Sequence, residues 1–129
     1  MNFADILKGA DKEGKEKHVP VIEIEKCESE EPNVVRVIVG KEVPHPNTVE
    51  HHIVWIELYG VKKEGQVIAI GRVDLAPTYS KPDSHFFVPV KDFKAFYSLE
   101  YCNIHGLWWS YLEPGQQPGG ECCCCGAKK

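Results

Sequence analysis

From His18 onward, apolar and polar residues alternate in short runs separated by Gly, Pro, Asn or Asp clusters. The runs are Val19 to Glu25, Val34 to Val39, Ile53 to Tyr59, Val67 to Leu75, Phe86 to Val90 and Ala95 to Tyr101. A period of two sends successive side chains to opposite faces of a strand, so Val35, Val37 and Val39 share one face, as do Val67, Ala69 and Gly71 in another run. About seven short strands at this spacing predict an all-β sandwich. Phe3, Ile6 and Leu7 predict a short N-terminal helical turn, and the charged stretch Asp11 to Lys17 a loop. No helix of ordinary length is needed after residue 12. Beyond Leu112 the sequence Glu-Pro-Gly-Gln-Gln-Pro-Gly-Gly has no apolar residue to bury. It predicts a flexible linker, with the folded domain over residues 1–113 and a tail over 114–129.

Composition narrows the class. The chain has 129 residues, 43% hydrophobic and 26% charged, which suits one soluble core. A net charge of −4 with scattered Lys and Arg argues against a nucleic-acid partner. No apolar run is long enough for a membrane-spanning helix. The start, Met-Asn-Phe-Ala-Asp-Ile-Leu-Lys-Gly, lacks the pattern of an export signal and points to the cytoplasm. Of six cysteines, four are consecutive at Cys122 to Cys125, whereas Cys27 and Cys102 are isolated. This is not a disulfide framework. In a reducing compartment such thiols are metal ligands, redox groups or packed side chains. Cys27 reads as a plain packed or surface thiol.

Five of the six histidines lie in three segments at loop–strand junctions, where a rigid scaffold presents functional side chains. These are Glu16-Lys17-His18-Val19-Pro20, the stretch His45 to Trp55, and Cys102-Asn103-Ile104-His105-Gly106-Leu107-Trp108. Alternation from residue 51 puts His52 in a row with Val54, Ile56 and Leu58, taken as the core face, and His51 in the opposite row. His51 is therefore the candidate ligand and His52 a packed histidine. Cys102 and His105, two residues apart, can converge on one ion across a turn. Alone that pair is weak, and the joint presence of His18, His45, His51, Cys102 and His105 gives it weight. Zinc favours four-ligand tetrahedral closure, whereas four nitrogens and one sulfur with a position left open suit redox-active iron. His85, before Phe86-Phe87, reads as structural.

Taken in order, these three segments resemble the iron-site motifs of the superoxide reductase family, the neelaredoxins and the iron-binding domain of desulfoferrodoxin. The similarity covers about residues 1–113 and implies an immunoglobulin-like β-sandwich. It implies that His18, His45, His51 and His105 give iron four equatorial nitrogens and Cys102 an axial sulfur, with a sixth position open. Glu16 matches a glutamate that takes that position in the oxidised state, and Lys17 a lysine close by. The resemblance begins without the four-cysteine iron module of desulfoferrodoxins, which implies the single-iron class. The implied reaction is one-electron reduction of superoxide to hydrogen peroxide. A rubredoxin-like carrier is the implied donor, since the chain has no nucleotide-binding fingerprint, and a tetramer is the implied assembly.

The tail Cys122 to Cys125 falls outside these motifs. Cys122 and Cys125 have a spacing common in metal and redox sites, and a second metal or an iron–sulfur cluster there stands beside a redox or metal-scavenging tail. Rival functions are a non-enzymatic iron-binding electron carrier with six permanent ligands, an immunoglobulin-like interaction domain with no metal, and a superoxide dismutase. A strongly donating thiolate disfavours the last.

Overall fold

Runs rich in Val, Ile and aromatic residues fit a pleated, half-buried surface, and they pair into two four-stranded sheets. The computed structural model describes residues 1–14, 17–115 and 120–121. Its strands are β1 (Val21–Lys26), β2 (Val34–Ile38), β3 (Ile53–Lys62), β4 (Val67–Asp74), β5 (Asp83–Phe87), β6 (Phe93–Cys102), β7 (Gly106–Leu112) and β8 (Gly120–Glu121). One sheet runs β4-β3-β6-β7 and is antiparallel throughout; the other runs β5-β2-β1-β8. In the second sheet only β8 is parallel to its neighbour, pairing Glu25 with Gly120 and Lys26 with Glu121. The all-β expectation holds. A four-residue helix α1 (Phe3–Ile6) and two single 3-10 turns, Ala10–Lys12 and Val90–Asp92, are the described helical pieces.

The core lies between the sheets. Val35, Val37 and Val39 are buried there, as their alternation predicts, with Ile22, Ile24, Ile56, Leu58, Phe86 and Phe96. On β4 the core-facing row is Ile68, Ile70 and Val73, so Val67 and Ala69 point outward. Ile56 and Leu58 face the core as predicted. Upstream of them, however, the β3–β6 register shifts between Ile53 and Trp55, and Ile53 is buried while Val54 is only half-buried. A bulge of this kind inserts a residue and re-aims the strand. The simple row through His52 and Val54 is therefore broken before it reaches the histidines.

β7 is a strand that the alternation did not reveal, because Leu107-Trp108-Trp109-Ser110-Tyr111-Leu112 carries apolar groups on both faces. Trp108 is buried, whereas Trp109 stacks with Tyr97 and Tyr111 on the outer surface. The N-terminal segment straps this edge. Lys8 bridges to Trp108, and the Trp109 amide donates to the Lys8 carbonyl at 3.0 Å.

On the outer face of the second sheet, Arg36 grips Asp83 with two hydrogen bonds, Nε to Oδ1 at 2.8 Å and Nη2 to Oδ2 at 2.6 Å. Glu23 lies 3.4 Å from the same guanidinium, and His85 Nε2 lies 3.8 Å from Glu25 Oε1. Cys27, just past β1, is buried and disulfide-bonded, not the thiol expected from its isolated position. The run Cys122 to Cys125 lies outside the described residues.

The Arg36 guanidinium holds the Asp83 carboxyl below its usual range. A lowered folded-state pKa stabilises the fold above the ordinary carboxylate value, about 3.9, and the benefit disappears as pH falls through the lowered value. Asp83→Asn is expected to lower the urea midpoint at pH 7, with the gap from the parent narrowing steadily below about pH 4. Urea titrations across pH check this.

Candidate metal centre

Three loop–strand junctions meet at one end of the sandwich. His18, three residues before β1, is held by its backbone: the His18 and Val19 amides both donate to Glu13 Oε2, at 2.5 and 2.7 Å. Glu13 attracts no notice in the sequence, where it is one charge among many, yet it sets the entry of this segment. Glu16 lies outside the described residues. Lys17 is half-buried and lines a cleft with Glu13, Val19, Gly40 and Lys41.

His45 lies on the loop after β2. That loop returns tightly at Gly40, whose φ of +81° is the left-handed region that favours glycine. A Cβ at Gly40 would stand 2.5 Å from the His45 backbone nitrogen, so the missing side chain is what lets this segment approach. The His45 ring sits with Nδ1 2.8 Å from the Pro46 carbonyl oxygen. A carbonyl only accepts, so Nδ1 carries the proton and Nε2 presents a lone pair.

His51 closes a tight turn in which Thr48 N–H donates to the His51 carbonyl at 2.9 Å and His51 N–H donates back at 3.2 Å. His52 Nδ1 lies 3.0 Å from the Thr48 carbonyl, folded onto the same turn. Asn103 joins this turn to the third segment. Its Oδ1 accepts from the His52 amide at 2.9 Å, its Nδ2 donates to the Glu50 carbonyl at 2.9 Å, and its own amide donates to the His52 carbonyl at 3.2 Å. Cys102, at the end of β6, is fully buried.

The rings form a closed circuit. Neighbouring centroids are 4.7 Å apart for His18–His45, 4.8 Å for His45–His51, 5.1 Å for His51–His105 and 4.8 Å for His105–His18, each pair edge to face. His18 also stacks on Trp108 at 4.7 Å, and Trp108 Nε1 donates to the His105 carbonyl at 3.3 Å. Ligand atoms of His18, His51, Cys102 and His105 all lie within 4.8 Å of one another. His45 joins through Nε2, 3.8 Å from Cys102 Sγ. On the other side of the sulfur, His105 Nδ1 is 3.7 Å away and the His105 amide donates to Sγ at 3.4 Å. Four imidazoles in a circuit, with one sulfur against two of them, fit a single ion that takes both nitrogen and thiolate donors. Iron suits this set, and the amide donor to sulfur is the kind of contact that tunes such a centre.

Two residues before Cys102 on the inward face is Glu100, fully buried. Burial, with a smaller push from Glu13, raises its carboxyl to about 9, so it is a neutral acid at pH 7.

Residues 10–111 match the Desulfoferrodoxin family model. The chain belongs to the desulfoferrodoxin family. It is 50% identical over 110 residues to the superoxide reductase of Pyrococcus abyssi, an alignment covering 81% of this chain and 91% of that protein. It is 34% identical to the neelaredoxin of Megalodesulfovibrio gigas, across 85% of this chain and 95% of that one. The solved structure of the Archaeoglobus fulgidus superoxide reductase (neelaredoxin) in the reduced form superposes with a TM-score of 0.72 at 38% identity, covering 83% of this chain and 96% of that one. Family membership and the His/Cys cluster together support a mononuclear iron site.

Cys102→Ser replaces the sulfur with a poorer donor to iron. The oxidised variant is expected to lose the visible sulfur-to-iron charge-transfer band while keeping its far-UV circular dichroism, as spectra of the iron-loaded proteins will show.

Proposed function

We propose that this chain is a superoxide reductase, converting superoxide to hydrogen peroxide with one electron and two protons at an iron ion held by His18, His45, His51, His105 and Cys102. The observation that carries the reading is the closed circuit of four imidazoles with the Cys102 sulfur against it. Bound iron would supply a one-electron couple and an open position for an oxygen anion.

The chain's own residues account for the rest. The proton on His45 Nδ1, fixed by the Pro46 carbonyl, leaves Nε2 as the ligand atom. The His105 amide hydrogen bond draws charge from the Cys102 sulfur and so moderates its electron donation. Superoxide is an anion and the chain carries a net charge of −4, so attraction has to be local. Lys17 supplies it in this reading, and Lys41 lines the same cleft. Glu16, by its match to the family motif, would offer a carboxylate to the open position of the bound ion. Residues 1–113 carry the activity, and an external one-electron donor of the rubredoxin type renews the reduced state. A tetramer in the cytoplasm completes the proposal.

Peroxide formation in step with consumption of reductant, without oxygen release, is the expected outcome of mixing superoxide with the iron-loaded, reduced chain. Oxygen evolution without net use of reductant would identify dismutation instead. Lys17→Ala is expected to slow the superoxide reaction by roughly tenfold at low ionic strength, and by less as salt screens the charge. Pulse radiolysis with parallel iron assays measures both, and an unchanged rate removes Lys17 from the role.

A further inference from the structure

Lys8 belongs to none of the three ligand segments, yet the fold brings it to the metal centre. Its ammonium donates to the His105 carbonyl at 3.0 Å and stands 5.5 Å from the centre of the Trp108 ring. That carbonyl also accepts from Trp108 Nε1 at 3.3 Å, so each of its two lone pairs has a donor. The same indole stacks on His18, with centroids 4.7 Å apart and planes 13° from parallel. One fixed cation therefore touches the main chain of one ligand and the aromatic neighbour of another.

Main-chain contacts hold the lysine in place. Lys8 bridges to Trp108 in parallel, and the Trp109 amide donates to its carbonyl at 3.0 Å. Gly9 lets the strap come this close, since a Cβ there would stand 2.9 Å from Trp109 Nε1. Upstream, Phe3 and Leu7 line an apolar groove with Tyr59, Tyr97, Leu99 and Trp109, which seats the strap on the sheet. Fixing a long lysine stem costs rotamer entropy. The backbone bridge lowers that cost by starting the stem beside its acceptor.

We propose that Lys8 is a redox-tuning residue: its fixed charge beside His105 and Trp108 favours ferrous over ferric iron at the His/Cys centre and raises the reduction potential. This role presupposes the iron centre proposed for His18, His45, His51, His105 and Cys102. The Cys102 thiolate donates electron density and favours the ferric state. A positive charge near the ligands repels the ion of higher charge more strongly and so acts in the opposite sense. Lys17 and Lys41 line a separate cleft, so attraction of superoxide and tuning of the iron couple fall to different lysines. No bond forms and no proton moves; Lys8 acts by charge alone.

The test is a redox titration of the iron-loaded chain, followed through its visible sulfur-to-iron band, in the parent and in Lys8→Arg, Lys8→Gln and Lys8→Glu. At a fixed solution potential near the parent's midpoint, Lys8→Gln is expected to lower the ratio of ferrous to ferric iron roughly threefold, and Lys8→Glu further, while Lys8→Arg stays with the parent. Lys8 is exposed, so the gap between the parent and Lys8→Gln is expected to narrow as salt rises. Iron content and far-UV circular dichroism establish that each variant is loaded and folded. An unchanged ratio in Lys8→Gln would overturn the proposal, and so would equal shifts in the Gln and Glu variants, the mark of a purely structural anchor. A parent chain that takes up no iron would sink the metal-centre reading, and this role with it; a loaded parent whose couple ignores Lys8→Gln would sink this role alone.

Discussion

Convergence of four imidazoles and one thiolate on a space a few ångströms wide is the constraint to which the rest of the molecule answers. Polar groups drawn out of water are costly unless they find partners, and side chains fixed in one geometry lose rotamer entropy. A two-layer sandwich bears this because its loops leave a core of Val, Ile, Leu and Phe that is already packed. The metal-binding end can then be ordered by a few directional bonds instead of by burial.

Those bonds come from residues that touch no ion. Glu13 ties down the His18 segment, Thr48 shapes the turn carrying His51, and Asn103 stitches that turn to the Cys102–His105 loop. Trp108 adds a flat surface against His18 while its indole N–H fixes the His105 carbonyl. Supporting contacts of this kind determine which ring nitrogen is free to bind, and so they shape the chemistry as much as the ligands do.

Much of this was legible in the residues. The period-two runs marked most of the strands, and Val35, Val37 and Val39 lie where their alternation puts them. His51 rather than His52 joins the cluster, although the simple face argument behind that choice passes over a bulge at Ile53–Trp55 which alternation cannot reveal. β7 escaped because aromatic residues on both of its faces erase the period. Glu13 was hidden in a charged run, since a carboxylate that caps two amides across a loop looks the same in sequence as one in water. The pairing of β8 with β1 depends on contact between residues almost a hundred positions apart, and no local pattern encodes it.

The close return of the chain at Gly40 has a wider consequence. One hydrogen atom where any other residue has a carbon sets how near the His45 backbone comes to the end of β2, so the metal centre inherits its shape from a position with no donor atom of its own. Geometric control of reactivity here reaches back into the scaffold, and a single methyl group there would act on the iron at a distance, through main chain alone.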